Sequence, residues 1–219
     1  MKMENRINIA IDGPAGAGKS TVARLVAKKL SFLYIDTGAM YRALTYAALN
    51  NRIATDDGGA LRQLLDRSQI RFINNESKMS VHLNGHDVTE AIRMAEVNQH
   101  VSQVSSHPEV REEMVERQRQ MAKEGQAVLD GRDIGTHVLP QAGVKVFLTA
   151  TVEERARRRH EEQVAKGIPS RFEQLKQEIA RRDELDSTRE VAPLQKAKDA
   201  IEIDTTSLAI ADVARRLLS

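Results

Sequence analysis

The chain has 219 residues, enough for one domain carrying an insertion or for two small ones. Its 33 Lys and Arg against 31 Asp and Glu leave a net charge of +2, too balanced for a protein dedicated to polyanions, while 41% hydrophobic residues supply material for a real core. Without a cysteine, a disulfide scaffold, a thiolate metal site and a cysteine nucleophile are all excluded. No apolar run approaches the roughly 18 residues of a membrane span. The polar opening Met1-Lys2-Met3-Glu4-Asn5-Arg6, with Asp12 interrupting the apolar stretch behind it, does not read as a signal peptide, so a soluble, cytoplasmic protein without a membrane partner is expected. Aromatic residues make up only 3% of the chain, too few stacking platforms for single-stranded nucleic acid, and no nucleic-acid partner is expected. By contrast, 22 of the 33 basic residues are arginine, the cation that grips phosphate through two parallel hydrogen bonds.

Ile7-Asn8-Ile9-Ala10-Ile11 predicts a short buried strand running into a loop at Asp12-Gly13-Pro14. Val22, Leu25, Val26 and Leu30 fall at helical spacing over Ser20 to Leu30. Strand, glycine-rich loop and helix in that order open a parallel α/β sheet. Further strands are predicted at Phe32–Ile35, Ala127–Leu129, Val144–Leu148 and Ala200–Ile203, and a last amphipathic helix at Ser207–Leu218. The middle of the chain has a different grammar. Gln69–Ile73 and Met79–Leu83 alternate apolar with polar, and Asn84-Gly85 before His86-Asp87-Val88 signals a tight hairpin. Helices are predicted around 38–50 and 58–67 before these strands, and 90–106 and 109–124 after them, with Pro108 in a first turn. Residues of about 58–106 read as a subdomain inserted in the α/β core. No repeat or low-complexity tract occurs.

Gly13-Pro14-Ala15-Gly16-Ala17-Gly18-Lys19-Ser20 matches the phosphate-loop pattern GxxxxGK[ST] in full, with Thr21 next on the helix. Glycines let the backbone curl so that amide N–H groups point at phosphate oxygens, and the helix N-terminus adds partial positive charge. Lys19 is placed to reach the β- and γ-phosphates, and Ser20 to offer a hydroxyl to Mg²⁺. A nucleoside triphosphate is the expected ligand. The guanine-reading Asn-Lys-x-Asp motif and the His-Arg-Asp segment of protein kinases are both missing, which leaves a kinase of small metabolites.

Transfer between two phosphates is chiefly a problem of charge. At 4 Å, two unit charges repel by about 4 kcal/mol at an effective dielectric of 20. The acceptor oxygen is already ionised, so cations matter more than a general base. Asp36-Thr37-Gly38-Ala39-Met40-Tyr41-Arg42 begins at a strand's carboxyl end, where open α/β sheets bind ligands, so Thr37 and Arg42 are candidates for an acceptor phosphate. Gly131-Arg132-Asp133 follows another strand. Asp130 before it reads either as a Walker B-type acid, ordering Mg²⁺ through water, or as a turn carboxylate. Within Glu153–Lys166, Arg155, Arg158 and Arg159 share one side of a helix that Gly167 and Pro169 end, and this segment, about 153–169, reads as a mobile lid or as an ordinary charged helix. Arg182, Asp186 and Arg189 follow on the next helix and its exit. The six histidines lack metal-ligand spacing.

The phosphate loop, the segment Asp36 to Arg42, Gly131-Arg132-Asp133 and Arg189-Glu190-Val191-Ala192-Pro193-Leu194 together resemble the bacterial cytidylate kinases, in order and spacing from about Ile7 onward. The resemblance implies a nucleoside monophosphate kinase of the phosphate-loop class, α/β with a parallel core sheet, the inserted segment binding the monophosphate and a helical lid. It implies a monomer that uses Mg²⁺ and ATP to phosphorylate CMP or dCMP. It further implies that Arg42, Arg132 and Arg189 hold or flank the acceptor phosphate, and that Ser102, Arg111 and Asp133 surround the cytosine. Thr37, Arg182 and Asp186 would lie near the sugar, and Arg158 would reach the triphosphate. The residues alone would put Ser102 and Arg111 on the surface. Other acceptors (AMP, UMP, or an acid such as shikimate) and a nucleic-acid-processing module using water as acceptor are the competing readings.

Overall fold

The computed structural model describes residues 7–74 and 79–218. In chain order the elements are β1 (Ile9–Asp12), α1 (Lys19–Leu30), β2 (Leu33–Asp36), α2 (Thr37–Asn50), α3 (Gly58–Asp66), β3 (Ile70–Asn74), β4 (Met79–Leu83), β5 (His86–Asp87), α4 (Ala95–Val104), α5 (Pro108–Ala122), β6 (Ala127–Gly131), β7 (Val144–Thr149), α6 (Val152–Ala165), α7 (Phe172–Thr188), β8 (Ile201–Asp204) and α8 (Ile210–Leu218). The opening residues Met1 to Arg6, read above for targeting, lie outside the described residues. Among the described residues, no helix is long and apolar enough to cross a membrane. The chain divides into two compact units, one formed by the residues up to Tyr34 and from Ala122 onward, the other by Ile35–Met121.

The first unit is built on a five-stranded sheet in the order β2-β6-β1-β7-β8. β1 lies parallel between β6 and β7, with Ile9 opposite Val128 on one side and Val144 on the other, and β8 runs parallel to β7. All four residues of β1 and all five of β6 are buried, as expected of parallel strands covered on both faces. Val22, Ala23, Val26 and Ala27 form the buried stripe of α1, which packs on β6 and α8. The register sets Ile11 opposite Asp130 and Asp12 opposite Gly131, so two carboxylates end neighbouring strands at the edge where such sheets take ligands. Helices α6 and α7 pack on each other around Ala156, Leu175 and Ile179, flanked by Val152 and Phe172. Between β6 and β7 the chain makes one turn of π-helix at Ile134–Val138.

In the second unit, Asp36 and Asp57 cap α2 and α3 by accepting from Ala39 N at 2.7 Å and Ala60 N at 2.9 Å. Strands β3, β4 and β5 form an antiparallel meander. Its Asn84-Gly85 turn has φ of 51° and 86°, two positive values that define the type I′ geometry Asn-Gly favours. Met40, Leu44, Leu61, Leu65, Ile92 and Met114 are fully buried, each such side chain contributing about 1.5–3 kcal/mol. The helix predicted over 90–106 is interrupted. Ala91–Arg93 forms a 3₁₀ turn that buries Ile92, and Met94, at ψ 151°, breaks the path before α4 starts. Asn98 compensates by donating Nδ2 to the carbonyls of Arg93 and Met94 at 2.9 and 3.0 Å.

Candidate active site

Leaving β1, the chain makes the phosphate loop with positive φ at Gly13, Gly16 and Gly18. A Cβ on Gly13 would stand 2.0 Å from the Leu148 carbonyl oxygen, so only glycine fits where the loop leaves β1 and passes against β7. Lys19, nearly buried, folds back and donates Nζ to Pro14 O at 2.7 Å. Burial draws its ammonium well below the usual lysine range; Arg132 and Arg182 add to this, while Asp130 and Asp12 oppose it. Such an ammonium is poised to gain most from an incoming anion.

Asp130 stands in β6 and not in a turn, which removes the loop-carboxylate reading. Its Oδ2 accepts from Ser20 Oγ at 2.7 Å and its Oδ1 from Tyr34 Oη at 2.8 Å. A serine hydroxyl ending the phosphate loop and a carboxylate oxygen beside it on β6 are the hard donors that Mg²⁺ takes together with nucleotide phosphates, so these residues fit that ion. Among the described residues, no cluster of three His, Asp or Glu side chains provides a separate all-protein metal site. Asp12 behind the loop accepts from Ile134 N at 2.8 Å through Oδ1 and from Gly135 N at 2.7 Å through Oδ2. Burial pushes its carboxyl up to about 6 despite those two donors, with Asp133 adding to the rise and Lys19 opposing it.

Five predicted residues of this unit gather in one ion-paired group. Arg132 donates Nε to Asp186 Oδ2 at 2.8 Å, Arg182 approaches the same oxygen at 4.0 Å, and Arg189 donates Nη2 to Asp133 Oδ1 at 3.1 Å. Burial works against the ionised form of Asp186, yet Arg132 and Arg182 hold its carboxyl below the ordinary range. Burial likewise opposes the charge on Arg132, and Asp186 more than restores it. Carboxylates thus hold these cations in fixed positions, which is the arrangement electrostatic preorganisation requires.

The arginines of α6 have separate fates. Arg157 is exposed, clasped by Glu154 and Glu161. Arg158 donates to Glu154 Oε1 at 2.8 Å and to Thr205 Oγ1 at 3.1 Å, and that hydroxyl in turn donates to Ala17 O of the phosphate loop at 3.2 Å. Arg155 is buried and bound to Asp183, Ala150 and Ala15. The shared side predicted for Arg155 and Arg158 therefore resolves into one embedded guanidinium and one half-exposed one.

In the second unit, Arg42 pairs with Asp36, Nη2 lying 3.1 Å from Oδ2, and Thr37 is buried at the start of α2. Ser102 and Arg111, which the residues alone assigned to the surface, are 9% and 2% exposed. Arg111 donates Nη1 to Ser105 O at 3.1 Å and lies 5.7 Å from the Tyr41 ring centroid, a cation–π contact. Sequence reading missed Asp12, Tyr34, Glu154, Asp183 and Thr205 as members of the site. Asp12 alone carried a usable signal, as the last residue of an apolar strand directly before the loop.

A family model described as cytidylate kinase matches residues 9–219. Curated proteins named cytidylate kinase match nearly end to end. That of Geobacillus sp. (strain WCH70) is 62% identical over 99% of this chain and 96% of its own length. That of Bacillus subtilis (strain 168) is 59% identical over the same shares. Among solved structures, an uncharacterized protein from Eubacterium ventriosum ATCC 27560 superposes with a TM-score of 0.50 at 12% identity, covering 98% of this chain and 97% of that one, a likeness of fold alone. The chain belongs to the cytidylate kinase family.

Proposed function

We propose that the protein transfers the γ-phosphate of ATP to CMP or dCMP, releasing ADP and CDP or dCDP. The observation that carries this reading is the gathering of Arg132, Arg182 and Arg189 around Asp186 and Asp133 in the same unit as the phosphate loop. An acceptor monophosphate oxygen, ionised at neutral pH, attacks the γ-phosphorus; the new P–O bond forms as the bond to the bridging β–γ oxygen breaks, and ADP leaves. The loop amides and Lys19 hold the donor phosphates, and Arg42, Arg132 and Arg189 neutralise the acceptor phosphate that must approach them. Ser20, with Asp130 behind it, would hold Mg²⁺, which when bound offsets negative charge on the donor phosphates.

Cytosine selection is assigned to Asp133, with Ser102 and Arg111 as further base contacts carried over from the family. A carboxylate accepts from the exocyclic amine of cytosine, whereas uracil presents a carbonyl there and would leave that acceptor unpaired. Thr37, Arg182 and Asp186 are assigned to the sugar. The segment of about 58–106 is proposed to serve the monophosphate, and about 153–169, with Arg158, to close over the triphosphate and exclude water. A cytoplasmic monomer using Mg²⁺ and binding no nucleic acid completes the reading.

The test is a panel of CMP, dCMP, UMP, AMP and shikimate as acceptors, with ADP release followed in a coupled assay. Rapid use of CMP and dCMP, slower use of UMP and none of shikimate is expected. ATP hydrolysis without any acceptor, stimulated by RNA or DNA, would overturn the reading.

A further inference from the structure

We propose that Arg155 and Asp183 are positioning residues that aim the phosphate loop and couple its occupancy to helix α7. The guanidinium of Arg155 already uses four of its five N–H donors. Nε donates to Ala150 O at 2.9 Å, Nη1 to Ala15 O at 3.1 Å and Asp183 Oδ1 at 3.0 Å, and Nη2 to Asp183 Oδ2 at 2.6 Å. Its side chain is 4% exposed, against 53% for Arg157 and 21% for Arg158. The parallel fork with which an arginine grips phosphate is thus occupied by Asp183. Arg155 is a bracket between the loop, the end of β7 and α7.

The bracket acts on the loop through peptide geometry. In a planar trans peptide, the carbonyl of Ala15 and the N–H of Gly16 point to opposite sides. Fixing Ala15 O on the Arg155 side therefore aims the Gly16 N–H the other way, as a donor to phosphate oxygens. The loop also lies directly on the stem of Arg155, since a Cβ on Gly16 would stand 3.1 Å from Arg155 Cβ. At the far end of the pair, Asp183 and Asp186 are three residues apart and so share a face of α7. Asp186 is the carboxylate that holds Arg132. One helix therefore carries both the partner of the donor loop and the partner of an arginine assigned to the acceptor. Triphosphate that stiffens the loop also stiffens Arg155, Asp183 and the turn of α7 bearing Asp186.

This inference rests on the reading of the loop as the ATP site. Amide hydrogen exchange on the intact protein, with a non-hydrolysable ATP analogue and Mg²⁺ but no CMP, should show slowed exchange both over residues 13–20 and over residues 180–186. Asp183→Asn should retain slowing in the loop at saturating analogue and lose it in α7. Its KM for ATP should rise about tenfold, with KM for CMP unchanged and Tm within a few degrees of wild type. Arg155→Lys, which keeps the charge and loses the fork, should repeat that pattern and stands in if Asp183→Asn does not fold. Slowing in the loop without any in α7 of the wild type overturns the coupling while leaving the ATP site intact. Slowing in neither segment overturns both. Equal rises in KM for the two nucleotides reduce the pair to a structural role and overturn the proposal.

Discussion

Arg189 donates to Asp133 Oδ1 at 3.1 Å across 56 residues of sequence, and both side chains are almost wholly buried. The cation holds the carboxylate in one orientation, and a carboxylate oxygen accepts, which is what reading an amino group on a base demands. Asp133→Ala should therefore damage discrimination beyond any general loss of rate. A buried polar group left unpaired costs about 1–3 kcal/mol, so the preference for CMP over UMP in kcat/KM should fall by about 10- to 100-fold. Measuring both substrates on one preparation cancels effects common to the two. A variant with undiminished preference would remove Asp133 from base recognition.

Lys19→Ala tests the donor side. The lysine is nearly buried, its ammonium is lowered by that burial, and its hydrogen bond to Pro14 O is local to the loop. Removing a buried cation relieves desolvation, so the fold should survive with Tm within a few degrees. Loss of one preorganised charge from a phosphoryl-transfer site should lower kcat by about 10²- to 10³-fold. Retained turnover in a folded Lys19→Ala protein would show that the loop amides suffice.

The phosphate loop was legible because its grammar is local: a buried strand, glycines where φ turns positive, then a helix. The ends of β2 and β6 were legible because topology places ligands at strand ends. Arg111 was not, since its burial depends on Tyr41, seventy residues earlier in the chain, and on the Ser105 carbonyl. A fainter signal was present: Val110, Met114 and Val115 are buried on the same helix, and Arg111 falls within that stripe. The neighbouring Glu109, Glu112 and Glu113 drowned it. The pairing of Arg155 with Asp183 joins two helices across a turn, and helical spacing within α6 cannot tell an embedded arginine from one facing a ligand. The break at Met94 was hidden for a related reason, because only the burial of Ile92 selects the 3₁₀ turn.

The carboxyl of Asp12 is raised from the ordinary 3.8 to about 6, above all by burial. Between those two pH values the folded protein keeps a proton that the unfolded chain has released, so stability falls as pH rises through that window and stays at the lower level above it. A displacement of about 2 pH units corresponds to about 3 kcal/mol. Asp186 acts in the opposite sense: its carboxyl is lowered, so its contribution is complete above 3.8 and is lost only as pH falls further. The two effects therefore occupy separate windows. Asp12→Asn should flatten the dependence of urea unfolding on pH between about 4 and 6. It should also lower kcat, because an amide puts an NH2 donor in place of one of the two oxygens that now accept separately from Ile134 N and Gly135 N. An unchanged slope would show that Asp12 titrates at its ordinary value.

Two glycines with positive φ separate steric need from conformational need. At Gly13, φ is 142° and a Cβ would lie 2.0 Å from a backbone oxygen of β7, an atom that cannot swing aside as a side chain could. Gly13→Ala must displace either the strand end or the loop, and a loss of about 3 kcal/mol or more is expected, with nucleotide binding impaired in whatever folds. At Gly167, just past the end of α6, φ is 69° and nothing lies within 4 Å of the Cβ position. Gly167→Ala meets only the intrinsic left-handed penalty, about 1 kcal/mol, and should leave the KM for ATP near wild type. Urea midpoints of the two variants measured side by side give the contrast. Equal, small shifts would mean that the loop does not leave β1 as closely against Leu148 as described.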